Sequence, residues 1–192
     1  MPNKHPAIEQ TRYWVEHVVI KHNFCPFAHK PARHQRIRYT ASQADTEEQL
    51  INDLIDELIL LQNADHEKIE TSLLIVPNCL NSFLLYNRFL DVIDALIKQF
   101  NLEGVIQVAS FHPEYQFADL DADDVRNYTN RSPYPMFHLI LESSIEKARL
   151  NYPNVELIPE HNMAQLLKLG LSAAKLQLEK CYQTTSNEKQ TK

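Results

Sequence analysis

Two stretches, ETSLLIV at residues 70–76 and GVIQVASF at residues 104–111, decide the fold together with the segment that joins them. Both are short, apolar and bounded by turn signals, as buried strands are. Pro77 and Asn78 end the first one. Between them, residues 83–100 read as a helix with Ser82 as its N-cap, and Gly104 closes the turn that follows.

Working outward, residues 36–42 (RIRYTAS) predict a short strand. Asp45 and Glu48 form a capping-box pair in front of a helix marked by Leu50, Ile51, Leu54, Ile55, Leu58 and Ile59. MFHLIL at residues 136–141 predicts another strand, which can lie antiparallel to its neighbour. Ser143 with Glu146 opens a short helix, and a last amphipathic helix is expected over 157–180. At the other end, Trp14, Val15, Val18 and Val19 stripe a helix over 6–22 that stops before Pro26. Strands alternating with helices imply parallel βαβ units. The expectation is one α/β domain over 1–180 with a mostly parallel mixed sheet of four strands flanked by helices. Residues 1–35 form a basic helix and arm, and residues 181–192 a disordered tail.

Composition removes several function classes. The chain has 192 residues and only two glycines, against about 13 at average usage. It has no G-x-G-x-x-G, no P-loop and no G-x-S-x-G, so a Rossmann dinucleotide binder, a P-loop NTPase and a serine α/β-hydrolase are not indicated. A net charge of −6 argues against nucleic acid as a partner. No apolar run has the ~18 residues of a membrane span, and MPNKHPAIEQ has no signal-peptide core. Three scattered cysteines, Cys25, Cys79 and Cys181, make no disulfide framework, which fits the cytoplasm. Residues 1–40 carry seven Lys/Arg and five histidines against two acids, a local charge of +5 that leaves −11 for the rest. That arm either packs on the acidic body or contacts an anionic ligand.

In open α/β sheets ligands bind outside the carboxyl ends of parallel strands. There the strand at 104–111 runs into His112, and a long connection over 112–135 follows. Connections of that length usually carry function. His112 is the candidate acid/base. Arg131 and Asn130 are the candidate anion clamp, and Tyr115 and Tyr128 candidate ligand walls. Each has a packing alternative: a loop-tying imidazole, a salt bridge from Arg131 to the acids at 119–124, and tyrosines in a core. Cys25, beside Lys21, His22 and His29, is the candidate nucleophile, since such neighbours lower a thiol pKa. A shared site would put Cys25 within about 8 Å of His112. Asp119, Asp121, Asp123 and Asp124 lack the glycine of a calcium loop and read as an acidic helix start. No C-x-x-C or H-E-x-x-H indicates a closed metal site, and no cofactor is specified. A scattered set of Cys25, His29 and His112 is the remaining metal or haem alternative.

Three blocks, TRYWVEHVVIKHNFCPFA (11–28), EGVIQVASFHPEYQFAD (103–119) and NYTNRSPYPMFHL (127–139), resemble an uncharacterised family of bacterial and plant proteins catalogued as a domain of unknown function. The resemblance spans about residues 10–165. It implies that CPFA, FHPEYQF and NRSPYP, hence Cys25, His112, Tyr115, Asn130 and Arg131, belong to a recurring pattern, with Cys79 outside it. It implies no activity. The residues themselves give an enzyme acting on a small anionic metabolite at the C-terminal sheet edge. The alternatives are a non-catalytic binding module for a ligand or protein, and a metal or haem binder. Oligomeric state is not encoded in any motif.

Overall fold

The computed structural model describes residues 5–150, 152 and 154–184. Strand β1 is Ile37–Ala41, β2 Thr71–Ile75, β3 Ile106–Phe111 and β4 Met136–Leu141. They form one sheet in the order β1-β2-β4-β3. β1 and β2 are parallel, whereas β4 is antiparallel to both its neighbours, β2 and β3. The expected four strands and α/β class are present. The mostly parallel sheet is corrected: β1, β2 and β3 do run in one direction, but β4 enters between β2 and β3, so two of the three pairings are antiparallel. The physical reason is the buried edge β2 would otherwise present. MFHLIL satisfies the backbone of both neighbours at once.

One sheet face is covered by α3 (Glu47–Asn63) and α4 (Phe83–Gln99). Leu50, Leu54, Leu58 and Leu61 of α3 and Phe89 and Ile93 of α4 pack on Leu74, Phe137 and Leu139. Four leucines at i, i+4, i+8 and i+11 make the stripe that a helix needs for this burial. The capping box lies one residue later than expected: Thr46 Oγ1 accepts from Gln49 N (3.3 Å), and Gln49 Oε1 accepts from Asp45 N (3.1 Å). Among these apolar layers sits one buried acid, Glu57, which takes Arg38 Nε at 2.7 Å and the Ser72 hydroxyl. Arg36 likewise pairs with Glu67 and Glu70. The basic arm is therefore partly neutralised by the acidic body.

The other face meets the N-terminal helix. α1 (Pro6–Trp14) continues as a π-helical stretch over Val15–Ile20, and the chain then turns at Asn23 with φ 54°. Phe24 N closes the end on Val19 O at 2.9 Å. A 3-10 turn (Pro26–Ala28) and the short α2 (His29–Arg33) follow. The C-terminal portion holds α5 (Glu142–Leu150), α6 (Ile158–Leu169) and α7 (Leu171–Gln183). The single helix expected over 157–180 is two, broken at Gly170, whose φ 80° and ψ 154° suit only glycine. Of the tail expected from residue 181, residues 181–183 belong to α7. Cys181 is buried, and the Tyr182 hydroxyl donates to Pro133 O at 2.5 Å. The rest of that expectation, 185–192, lies outside the described residues. Among the described residues no helix is long and apolar enough to cross a membrane.

Candidate functional site

At the C-terminal edge of the sheet the 112–135 connection is tied to itself. His112 is fully buried. Its Nδ1 accepts from Glu114 N (3.0 Å), so its Nε2–H donates to Leu80 O (3.0 Å). Burial holds its pKa down, although the Leu80 carbonyl pulls the other way. Its ring packs beside Tyr86 and Phe83, with centroids at 5.0 and 5.5 Å. Arg131 gives Nε to Tyr115 O (3.1 Å) and Nη2 to Ala122 O (2.7 Å), and lies over the Tyr128 ring. Asn130 Nδ2 donates to Ser110 O (3.1 Å). Tyr115 packs on Phe83 and Phe117. Two of the acids at 119–124 meet other cations. Asp124 takes Arg126 at 2.6 Å, which holds its carboxyl down at about 2, and Asp123 takes Lys175 at 3.7 Å.

Both ring nitrogens of the predicted acid/base, and Nε and Nη2 of Arg131 and Nδ2 of Asn130 in the predicted anion clamp, are thus bonded to backbone groups. The crevice that favours ligands at such an edge would open between β2 and β3, where the strand order switches, and β4 fills it.

A cavity of about 540 Å³ lies instead on the sheet face, toward the starts of β1, β2 and β3. Its floor is Thr71, Leu73, Ile140, Gln107 and Phe111, with His138 at the centre. Trp14, Val15 and Val19 roof it from the helix and its π-helical continuation, and Trp14 meets Phe111 edge-on at 5.4 Å. Cys25, Phe27 and Pro31 make one side wall, and Ser144, Ile145 and Ala148 of α5 the other. The exposed Arg149 and Glu156 stand at the rim. Helix α1 and α5 cover only part of this face. In the register His138 stands between Leu73 of β2 and Ala109 of β3.

The structure separates Cys25 and His112: Cys25 lines the sheet-face cavity and His112 does not. Burial pushes the Cys25 thiol up, the reverse of the expected lowering, and the backbone N–H groups of Phe27 and Ala28 offset it only in part. His29 is engaged with Asn23 Oδ1 at 3.1 Å. The scattered Cys25, His29 and His112 metal set is therefore dispersed. Among the described residues no three of His, Cys, Asp and Glu group to hold a metal ion. The sign of the shift has a direct consequence. Alkylation of Cys25 in the native protein should have its pH midpoint above that of the same thiol in denatured protein, read by peptide mass mapping. An equal or lower native midpoint would refute the burial effect.

His138 is the cavity residue that the strand pattern concealed. One histidine in an apolar hexamer reads as a core position. The available signal was alternation, which places it on one face with Met136 and Ile140. Burial pushes its pKa down to about 4, so the ring is neutral at ordinary pH.

A family model described as protein of unknown function (DUF1415) matches residues 6–176. The chain belongs to this family. The match takes in both the loop system at the C-terminal edge and every residue lining the cavity. No curated protein and no solved structure matches the chain.

Proposed function

We propose that the protein binds one small, mainly apolar molecule in the sheet-face cavity. The observation that carries this reading is the cavity itself. Its volume falls among those of small-molecule sites, about 300–1,000 Å³, and apolar walls with a few convergent polar groups are what such sites have. The π-helical roof supports it, because π segments recur at functional sites. Among the described residues the lining contains a single cation, Arg149, at a rim shared with Glu70 and Glu156. That mixed charge gives a free anion no advantage, so the ligand is apolar first. A thiol and an imidazole share the cavity, the minimum for thiol chemistry. Since burial holds the thiol protonated, binding is the reading we adopt.

The test uses the fluorescent apolar amine N-phenyl-1-naphthylamine. It should bind saturably at one site per chain and raise Tm, with a gain of about 2.7 kcal/mol at a hundredfold excess over Kd. Ala148→Phe, which fills the cavity from α5, should abolish binding while leaving the fold intact by circular dichroism. Unsaturable binding, or Ala148→Phe binding like wild type, would remove the cavity as the site.

A further inference from the structure

The hydrogen bonds beneath the cavity determine which face of the imidazole a ligand meets. The Thr71 hydroxyl donates its one proton to Leu139 O at 2.6 Å. Its oxygen also lies 2.7 Å from His138 Nε2. With that proton already given to the carbonyl, the Nε2 contact is a hydrogen bond only if Nε2 carries a proton and donates to the Thr71 oxygen. The neutral ring then keeps a lone pair on Nδ1. Nδ1 has no hydrogen-bond partner among the described residues, and it is not among the sealed, unsatisfied polar atoms. His138 thus offers the cavity an acceptor and no donor.

We infer that His138 Nδ1 is a specificity-determining acceptor, selecting an uncharged, mainly apolar ligand that carries one hydroxyl or N–H group. This rests on the cavity reading above and deepens it. The chemistry is one of exclusion as much as attraction. An ether or ketone of the same shape would set an oxygen lone pair against a nitrogen lone pair in a place with little water to intervene. A carboxylate would do so with a full charge. A hydroxyl completes a chain that runs from the ligand through His138 and Thr71 to the Leu139 carbonyl, each group donating to the next.

Four probes of nearly one shape separate the possibilities: naphthalene, 1-naphthol, 1-methoxynaphthalene and 1-naphthoate, titrated into the full chain. Wild type should bind 1-naphthol about tenfold more tightly than 1-methoxynaphthalene, as one buried hydrogen bond allows, and 1-naphthoate most weakly. His138→Phe should keep naphthalene binding and lose the naphthol preference. Thr71→Val, which releases the tautomer, should narrow the preference.

A second measurement needs no variant. Long-range proton–nitrogen NMR of the wild-type protein should show His138 protonated at Nε2 and bare at Nδ1, with the Nδ1 resonance shifting when 1-naphthol binds. Equal affinity for naphthol and its methyl ether, or a ring protonated at Nδ1, overturns the inference and leaves the cavity standing. If no naphthalene binds at all, both readings fall.

Discussion

Replacing His112 with alanine should cost about 3–5 kcal/mol of folding stability. Two separate losses add. The substitution leaves the buried Leu80 O without its donor and takes the ring acceptor away from Glu114 N, each bonded to the ring at 3.0 Å. It also empties the space against Tyr86 and Phe83. Tyr86 cannot move in to compensate, because its hydroxyl already joins Phe111 N to Met136 O across the sheet edge, both at 2.9 Å. Urea unfolding should show the midpoint fall with little change in m-value. N-phenyl-1-naphthylamine should still bind the folded fraction, because His112 lies outside the cavity lining. A variant with wild-type stability would mean that the imidazole is not a latch, and would return His112 to the list of catalytic candidates.

The second large effect concerns acid. In the folded protein burial holds His138 at about 4, against 6.5 for an ordinary histidine. Its folded pKa is therefore depressed, and the unfolded chain takes up the proton first. The contribution to stability is whole above pH 6.5 and is lost as pH falls toward 4. Below that the folded state is protonated too, and no more is lost. The interval is worth about 3 kcal/mol at most. His112 acts in the same direction. Asp124, held near 2 by Arg126, weakens the fold only at lower pH, below the ordinary value of 3.8. The comparison that isolates His138 is wild type against His138→Phe. The difference in unfolding free energy between pH 7 and 4 should be smaller in the variant. Parallel profiles would show that the ring is solvated in the folded state.

Much of the fold was legible because its elements are periodic. The leucines of α3 repeat at helical spacing, and the strand runs are short and apolar. Register and partner choice were not legible. The insertion of β4 depends on hydrogen bonds between residues far apart in sequence, and no local pattern in MFHLIL names its neighbours. The site followed the same division. Cys25 does line a cavity, but the expected sign of its pKa assumed that Lys21, His22 and His29 reach it, whereas burial dominates. His112 and Arg131 have the chemistry of a site, and the structure uses that chemistry on carbonyls and an amide. His138 is a single polar residue in a strand, and such a residue carries no spacing signal.

The late arrival of β4 in the chain also bears on biosynthesis. In the finished sheet β3 pairs with β4 alone, and β2 has β4 on one side and β1 on the other. A nascent chain emerging from the ribosome can join β1 to β2 as soon as residue 75 is free. β3 then waits, unpaired, until residues 136–141 follow it out. Through that interval one side of β2 and both sides of β3 are open templates for another strand. Translational pausing within the 112–135 connection would prolong the exposure. Ribosome-bound fragments ending before residue 136 are therefore the species in which chaperone engagement or aggregation should concentrate.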